Sequence, residues 1–293
     1  MTTLRKTPPL VVGRHSPEIE PGTAPSEHPA SPGSRSSMRR LVQIGSLPML
    51  FFIALPVIAL LIRTSPSQWL ANLTQPQVVH AVGISLGTTL AATLFSILLG
   101  TPLAFALARD YLPFRRFFDT LIDLPTVLPP AVAGIALLLA FGRRGVFGES
   151  LAALGIHIAF TPFAVILAQT FVAAAFYIKA ASIGFASVDR ELEQAAGLDG
   201  ASSWQIFRYL ILPLSWSAML SGAVMTWARA LGEFGATIIF AGNYAGRTQT
   251  MPLAIYLGFE LNLDTALTLS VILIAFAFLA LLLVKRVLNR DWM

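Results

Sequence analysis

The chain contains no cysteine in its 293 residues, and only 12% of the residues carry a charge. Without cysteine there can be no disulfide, no thiolate metal site and no cysteine nucleophile. Because charge is scarce, several apolar runs reach the roughly 20 residues that a helix needs to cross a bilayer. The basic net charge of +5 does not indicate nucleic-acid binding, since the positive residues lie at the ends of apolar runs. We therefore predict an all-α polytopic membrane protein.

Motifs for catalysis and for metal or nucleotide binding are also missing. Gly242-x-x-x-Gly246-Arg247-Thr248 is one residue too short between its glycines for a phosphate loop, and it has Arg where that motif has Lys. No Ser, His and Asp fall into a known nucleophile motif. We predict no enzyme activity and no metal or nucleotide bound by this chain. The histidines lack metal-ligand spacing: His15, His28, His80 and His157.

Composition divides the chain after residue 40. Residues 1–40 are rich in Pro, Ser, Gly and charge, which predicts a disordered cytoplasmic tail. Residues 41–293 are the predicted transmembrane domain, a helical bundle of about six spans. The spans are predicted at Leu41–Ile62, Ala81–Ala108, Leu121–Phe141, Ala159–Ser182, Leu214–Phe240 and Leu267–Val284.

The third span opens with three prolines in six residues, Pro125, Pro129 and Pro130. They must bend or break the start of the helix and free backbone carbonyls. Either a kinked helix end or a broken segment lining a pathway fits this pattern. Thr126, Pro129 and Pro130 are therefore candidates for a translocation pathway.

Arg229 and Glu233 lie inside the fifth predicted span with i, i+4 spacing, which would put them on one helix face. Charges at membrane depth usually face a bundle interior or a watery path. They could be a structural ion pair, or they could act in gating or in passing an anionic solute. A stripe of small residues beside them, Ala228, Gly232 and Ala236, predicts tight packing, as do Gly83 and Gly87 in the second span.

Positive residues are distributed unequally between the two sides of the membrane. With the N-terminus inside, the outer loops hold only Arg63, Arg143, Arg144 and Arg247, and all other Lys and Arg outside the spans are cytoplasmic or near the cytoplasmic ends. Lys179, near the end of the fourth span, is expected to extend to the interface. This orientation makes both termini and the polar segment Asp189–Pro213 cytoplasmic.

The segment Asp189–Pro213 predicts a helix, a glycine turn and a second helix. Acidic residues crowd its first turn, as the helix dipole favours, and Gly197 and Gly200 are suited to ending the first helix. Ser202 and Gln205 have the spacing of a capping box at the start of the second. A flat alanine face with a charged rim suits docking onto another protein, although an ordinary cytosolic loop would also read this way.

The spacing Gln194-Ala195-Ala196, three residues, Gly200, nine residues, Leu210, then Leu212-Pro213 resembles the loop by which ABC-importer permeases engage their ATPase. The family pattern begins with Glu and has Ile nine residues after the glycine, where this chain has Gln194 and Leu210. Glu193 stands one position early. The resemblance implies an ATPase-coupling loop that comprises Glu193, Gln194, Ala195, Ala196, Gly200, Leu212 and Pro213.

Residues from about Gly83 to Leu283 resemble the molybdate permease subunits of bacterial ABC importers. The resemblance lies mainly in Ala228-Arg-Ala-Leu-Gly-Glu-Phe-Gly-Ala-Thr237 and in Leu124-Pro-Thr-Val-Leu-Pro-Pro-Ala-Val-Ala-Gly134. Sulfate permeases typically differ at Leu231-Gly-Glu-Phe234, which favours molybdate and leaves tungstate open. The family implies a type I (MetI-like) fold in the inner membrane, two copies of this chain, two cytoplasmic ATPase subunits that bind ATP and Mg, and an external molybdate-binding protein.

Two other classes of protein are compatible with a polytopic chain. A secondary transporter would need no ATPase, but it usually shows internal repeats and intramembrane carboxylates for ion coupling. The sequence has no clear repeat, and the carboxylate of Glu233 has an arginine nearby. A membrane-embedded enzyme would need a nucleophile or a metal cluster, and no such motif is visible.

Overall fold

The computed structural model describes residues 32–290, and every regular element within that range is helical. Contacts divide the chain after Pro56 into two units. The described part of the first unit belongs to helix α1 (Pro32–Arg63), whose side chains are mostly exposed from Val42 onward. The predicted tail falls mostly on residues 1–31, outside the described residues. Residues 32–40 are helical, so the predicted boundary at residue 40 lies within a helix.

The second unit begins with the end of α1 and continues through a succession of helices. Its other elements are α2 (Pro66–Asn72), α3 (Pro76–Ala108), α4 (Arg115–Val127), α5 (Pro130–Phe141), α6 (Gly148–Ala153), α7 (Pro162–Ala186), α8 (Arg190–Leu198), α9 (Ser203–Ile206), a π-helical turn (Phe207–Ile211), α10 (Leu212–Leu214), α11 (Trp216–Leu231), α12 (Gly235–Phe240), α13 (Met251–Leu261) and α14 (Leu263–Arg290).

Four of the described helices, α1, α3, α7 and α14, are long and apolar enough to cross a membrane. Two further crossings are broken: α4 and α5 meet at 114°, and the α9–α10 segment meets α11 at 68°. Counting each bent pair as one span gives up to six spans, which agrees with the predicted number. The prolines of the third span do break it, because Pro129 and Pro130 fall at the bend.

Helix α7 lies at the centre of the second unit and packs against α3, α4, α5, α11 and α12. Small residues allow the close approach that membrane helices need. A Cβ added to Gly184 would lie 2.7 Å from Ala218 Cβ, and one added to Gly222 would lie 2.7 Å from Ala180 Cβ. Core residues such as Tyr177 and Phe185 fill the space around these crossings. At Gly184 and Gly222 the α7–α11 contact therefore leaves no room for a side chain.

Two predictions about α3 and α7 are corrected by the structure. A Cβ added to Gly83 or Gly87 would meet nothing within 4 Å, so these glycines bring no helix close within the described chain. Lys179 does not simply extend to the interface. Its Nζ lies 2.5 Å from Asp119 Oδ1 and 2.9 Å from Asp123 Oδ2, so it connects α7 to α4.

Candidate functional site

The segment from Asp189 to Ser215, here called the coupling segment, adopts the predicted helix–turn–helix form. Asp189 caps α8, because its Oδ1 accepts the backbone N–H of Glu191 at 2.9 Å. Gly200 has φ +88°, a left-handed conformation that glycine adopts without a Cβ penalty. Gly197 lies inside α8, so its predicted role in ending the helix is wrong.

The second part of the coupling segment begins with the predicted capping box. Ser202 Oγ accepts the N–H of Gln205 at 3.4 Å, and Gln205 Oε1 accepts the N–H of Ser202 at 2.8 Å. The helix then passes through the π-helical turn and reaches Pro213, which has no N–H to donate. It bends by 68° at Ser215, whose Oγ donates to the carbonyl of Gly184 in α7 at 3.0 Å. The bend is therefore fixed to the central helix.

One face of the coupling segment is open in the part of the chain that the structure describes. Neither α8 nor α9 contains a buried residue. A groove of about 500 Å³ lies between the two helices, and Ala196, Gly200, Ile206 and Tyr209 contribute to its lining. Among the other predicted residues, Gln194, Ala195 and Pro213 are exposed, whereas Leu212 packs against the core cluster around Tyr177. An open groove between two short helices is suited to receiving part of another protein.

Glu193 points inward, away from this groove. Its carboxylate forms an ion pair with Arg109 at the end of α3, and the two side chains are 22% and 6% exposed. The Arg109 guanidinium also lies over the Phe105 ring, 5.8 Å from its centroid. The residue predicted to belong to the coupling loop therefore attaches α8 to α3. Sequence reasoning missed Arg109, because its partner is 84 positions away.

Arg229 and Glu233 form the predicted ion pair, with Nη1 and Oε2 3.0 Å apart. They do not share one helix face, because α11 ends at Leu231 and Glu233 lies in the break before α12. Glu233 is 1% exposed, and its Oε1 accepts the N–H of Ala236 at 2.8 Å. The carboxylate therefore holds the end of α11 and the start of α12 together. An N–H in the first turn of a helix favours a negative charge at this position.

The predicted small-residue stripe is interrupted by the same break. Gly232 is exposed and a Cβ there would meet nothing within 4 Å, so the expected tight packing through Gly232 is wrong within the described chain. Ala236 is instead fully buried on α12 and packs with the α5 and α7 cluster.

Helix α12 packs closely against α5. A Cβ on Gly134 would lie 2.9 Å from the carbonyl oxygen of Ala236, and one on Gly235 would lie 2.7 Å from Pro130 Cβ. Pro130 is therefore adjacent to the break that contains Glu233. Pro129 is exposed and caps α5. Thr126 lies beyond the 114° bend on α4, where its hydroxyl donates to the carbonyl of Asp123 at 2.7 Å.

The ion pairs of Lys179 with Asp119 and Asp123 were not predicted. Lys179 lies about 60 positions from these carboxylates in the sequence, and the sequence alone predicts only that it extends to the interface. The repeated spacing of Asp119 and Asp123, i and i+4 on one helix, was the available signal.

Comparison with known proteins identifies the class of protein that carries this fold and this segment. Residues 96–290 match the family described as binding-protein-dependent transport system inner membrane component. The chain belongs to that family. It is therefore a transport component of the inner membrane rather than an enzyme, as predicted.

Particular relatives transport molybdenum or sulfate. The molybdenum transport system permease protein ModB of Mycobacterium bovis is 40% identical over 247 residues, which cover 84% of this chain and 94% of that protein. The sulfate transport system permease protein CysT of Escherichia coli K12 is 32% identical over 242 residues, covering 81% of this chain and 87% of that protein. The predicted resemblance to molybdate permeases, with sulfate permeases related, is confirmed.

Solved structures confirm the predicted fold. Two crystal structures of a bacterial ABC transporter for alginate, one in complex with its alginate pentasaccharide-bound periplasmic protein, match with TM-scores of 0.67 and 0.66. The matches cover 88% and 87% of this chain and 96% and 93% of those chains, at 16% and 18% identity. The architecture is thus that of an ABC importer permease.

Proposed function

We propose that this chain is the permease subunit of an ATP-driven importer that carries an oxyanion, most specifically molybdate, across the inner membrane into the cell. The observation that carries the proposal is the form of the coupling segment. It has an open groove on one face, and its bend at Ser215 is hydrogen-bonded to the central helix α7. The 40% identity to a molybdenum permease supports the choice of solute. Sulfate and tungstate are the alternatives within the family, and the 32% identical sulfate permease keeps sulfate in the comparison.

The proposed assembly contains two copies of this chain, two cytoplasmic ATPase subunits and an external binding protein. A two-fold pair of permeases would place the pathway at the subunit interface, as closed symmetry favours. ATP and Mg would bind to the ATPase subunits and not to this chain. Both termini and the coupling segment would then be cytoplasmic, in agreement with the positive-inside distribution of Lys and Arg.

Movement would pass from the coupling segment to the break at Glu233 through helix contacts. The groove beside Gly200 would take up the displacement of the ATPase. The bend at Ser215 connects the segment both to α7, through the Gly184 carbonyl, and to α11. Helix α11 ends at the break where Glu233 joins Arg229 to the start of α12. Arg229 is one-third exposed and supplies a positive group near this break for an anionic solute.

The test is ATP hydrolysis in liposomes by this chain co-expressed with the nearest encoded ATPase and binding protein. Molybdate, tungstate and sulfate are compared as ligands of the binding protein. Stimulation by molybdate, with or without tungstate, but not by sulfate supports the proposal. Stimulation by sulfate alone retains the importer and replaces the solute. If no ATPase associates with the chain, the importer proposal is wrong and an ion-coupled secondary transporter becomes the hypothesis to test.

A further inference from the structure

The C-terminal end of α3 contacts both halves of the coupling segment. From α8, the carboxylate of Glu193 pairs with Arg109. From the π-helical turn, the ring of Phe207 meets the Phe105 ring edge to face, with the two centroids 5.0 Å apart. The Arg109 guanidinium lies over the same Phe105 ring, 5.8 Å from its centroid. Phe105 therefore meets the second half of the segment directly and the first half through Arg109.

Further aromatic rings fix the position of Phe105. The rings of Phe185 and Tyr111 also meet it edge to face, with centroids 5.6 and 5.9 Å away. Phe185 is fully buried on α7, and Trp204 stacks on Phe207 at 5.7 Å. Edge-to-face ring pairs hold a preferred geometry in addition to burying apolar area. The Phe105 ring is therefore the centre of a cluster that joins α3, α7 and the coupling segment.

This junction between α3 and the coupling segment is made by side chains. Among the described helices, α3 packs extensively against α7, α11 and α13, but not against α8 or the π-helical turn. The contacts through Phe105 and Arg109 are therefore not duplicated by close packing of the helices themselves. Changes at these two positions decide how firmly the segment and α3 move together.

The N-terminal half of α3 is attached to the start of α13. Ser85 is fully buried, and its Oγ accepts the backbone N–H of Met251, the first residue of α13, at 2.7 Å. An N–H in the first turn of a helix has no partner within that helix, so Ser85 satisfies a group that would otherwise be unpaired. About 30 Å of helix, at 1.5 Å per residue, separates Ser85 from Phe105. Helix α3 thus connects the coupling segment with α13.

Pro102 is the weak point of this connection, because it has no N–H for the hydrogen bonds of the helix. Two contacts with Tyr177 of α7 support α3 there. The Thr101 hydroxyl lies 2.7 Å from the Tyr177 hydroxyl, and a Cβ on Gly100 would lie 3.0 Å from the Tyr177 ring. The turn that contains the proline is therefore held against α7, and α3 stays continuous through it.

We propose that Phe105 and Arg109 are positioning residues for coupling, and that α3 carries movement of the coupling segment to α13 through Ser85. The proposal deepens the proposed function and rests on it, because that function supplies the ATPase that moves the segment. This connection is separate from the one at Ser215, which leads into α11 and to the break at Glu233. Movement of the segment therefore acts at two places, at that break and at the start of α13.

The test measures oxyanion uptake per ATP hydrolysed by the complete complex with its loaded binding protein in liposomes. Molybdate is the probe, or sulfate if only sulfate stimulates the wild type. Phe105→Leu keeps an apolar side chain but removes the ring, and is expected to lower uptake per ATP about threefold or more. Phe105→Tyr keeps the ring and should retain at least about half of the wild-type value. A purely structural role would change Tm and the amount of assembled complex, but not uptake per ATP.

Phe95→Leu is the matched control for Phe105→Leu. Phe95 lies on the same helix and makes a similar edge-to-face contact with Phe163, near the opposite end of α7 from the coupling segment. It should leave uptake per ATP within about twofold of the wild type. If Phe105→Leu does not assemble, Phe105→Met takes its place, because methionine adapts to irregular gaps in a core.

A second pair of variants tests the other end of α3. Ser85→Ala removes the acceptor of the Met251 N–H and is expected to lower uptake per ATP about threefold or more. Ser96→Ala is its control, because Ser96 is also buried on α3 but its hydroxyl donates only to the carbonyl of Ala92 in the same helix. It should stay within about twofold of the wild type. Ser85→Cys, with a weaker acceptor, replaces Ser85→Ala if that variant does not assemble.

The outcomes distinguish this proposal from the proposed function. A wild-type complex in which no oxyanion stimulates ATP hydrolysis or uptake refutes the proposed function. If the wild type transports and Phe105→Leu lowers uptake per ATP no more than Phe95→Leu does, the positioning role is wrong. If assembled Ser85→Ala matches Ser96→Ala, α3 does not carry the movement to α13, and that part of the proposal is overturned.

Discussion

Removing the carboxylate of Glu193 tests whether its ion pair with Arg109 holds α8 against the membrane core. Helix α8 buries no side chain of its own, so this pair is a principal attachment to α3. Loss of one partner of a buried pair costs about 3–5 kcal/mol, because the other charge is left unpaired. Glu193 is 22% exposed and Arg109 6%, so water compensates part of this cost and we expect about 2 kcal/mol for Glu193→Gln.

A change of about 2 kcal/mol corresponds to roughly a thirtyfold shift toward an α8 detached from α3. Hydrogen exchange of the assembled complex in nanodiscs measures this shift. The amides of α8 should exchange about thirtyfold faster in Glu193→Gln, while those of α7 stay protected, because α7 keeps all its core contacts. ATP-driven uptake should fall in parallel, since a detached α8 no longer holds its side of the groove in place.

Glu191→Gln is the control for this prediction. It removes the same charge from the same helix, but Glu191 is exposed and forms no ion pair with a described residue. The double variant Arg109→Met/Glu193→Gln removes the stranded guanidinium and should recover part of the protection. The reasoning is wrong if α8 exchange in Glu193→Gln stays within twofold of the wild type, or if Glu191→Gln has the same effect.

Three further predictions concern the glycines and the ion pair of the candidate site. Gly200→Ala should lower the free energy of unfolding by about 1–2 kcal/mol, because Gly200 has a left-handed φ of +88°. Gly200→Glu should uncouple ATP hydrolysis from uptake in a protein that still inserts into the membrane. Normal uptake by Gly200→Glu would contradict the role of this turn. Gly134→Ala should destabilise by about 1–3 kcal/mol, because its Cβ would lie 2.9 Å from a carbonyl of α12. Gly83→Ala has nothing within 4 Å inside α3 and should not lower Tm. A Tm of Gly134→Ala as high as that of Gly83→Ala in thermal unfolding would refute the contact. Exchanging Arg229 and Glu233 should not preserve transport, because arginine cannot accept the N–H of Ala236 that Glu233 accepts at 2.8 Å. The variant Arg229→Met/Glu233→Gln keeps an acceptor at position 233 and should be more active than the exchanged variant. Full transport by the exchanged variant would show that the acceptor role is unimportant.

Local features of the candidate site were predictable from the sequence. Ser202 and Gln205 form the capping box that their spacing indicates, and Gly200 takes the turn conformation that favours glycine. Pro129 and Pro130 break the third span, because a missing N–H and a fixed φ act within a few residues, whereas Pro125 is accommodated inside α4. Such effects require no knowledge of the rest of the chain.

Features that depend on distant parts of the chain were not predictable in the same way. Arg109 and Lys179 find their carboxylate partners only when α3, α4, α7 and α8 pack together. The break at Glu233 was missed although Gly232 and Gly235 flank it, because no proline is present there and glycine is also frequent inside membrane helices. The buried carboxylate itself stabilises the break by accepting an N–H at the start of α12.

The π-helical turn at Phe207–Ile211 has a consequence for the direction in which the coupling segment faces. A π turn holds one residue more than the α-helix it interrupts, and each residue of an α-helix corresponds to about 100° of rotation. The azimuth of α8 and α9 about the axis of the following helix is therefore offset by about that angle from the azimuth that an uninterrupted helix would give. A single-residue deletion in this turn would restore α-helical winding and leave the direction of the groove beside Gly200 nearly unchanged, whereas α-helical winding of all the present residues would rotate the groove by about 100°.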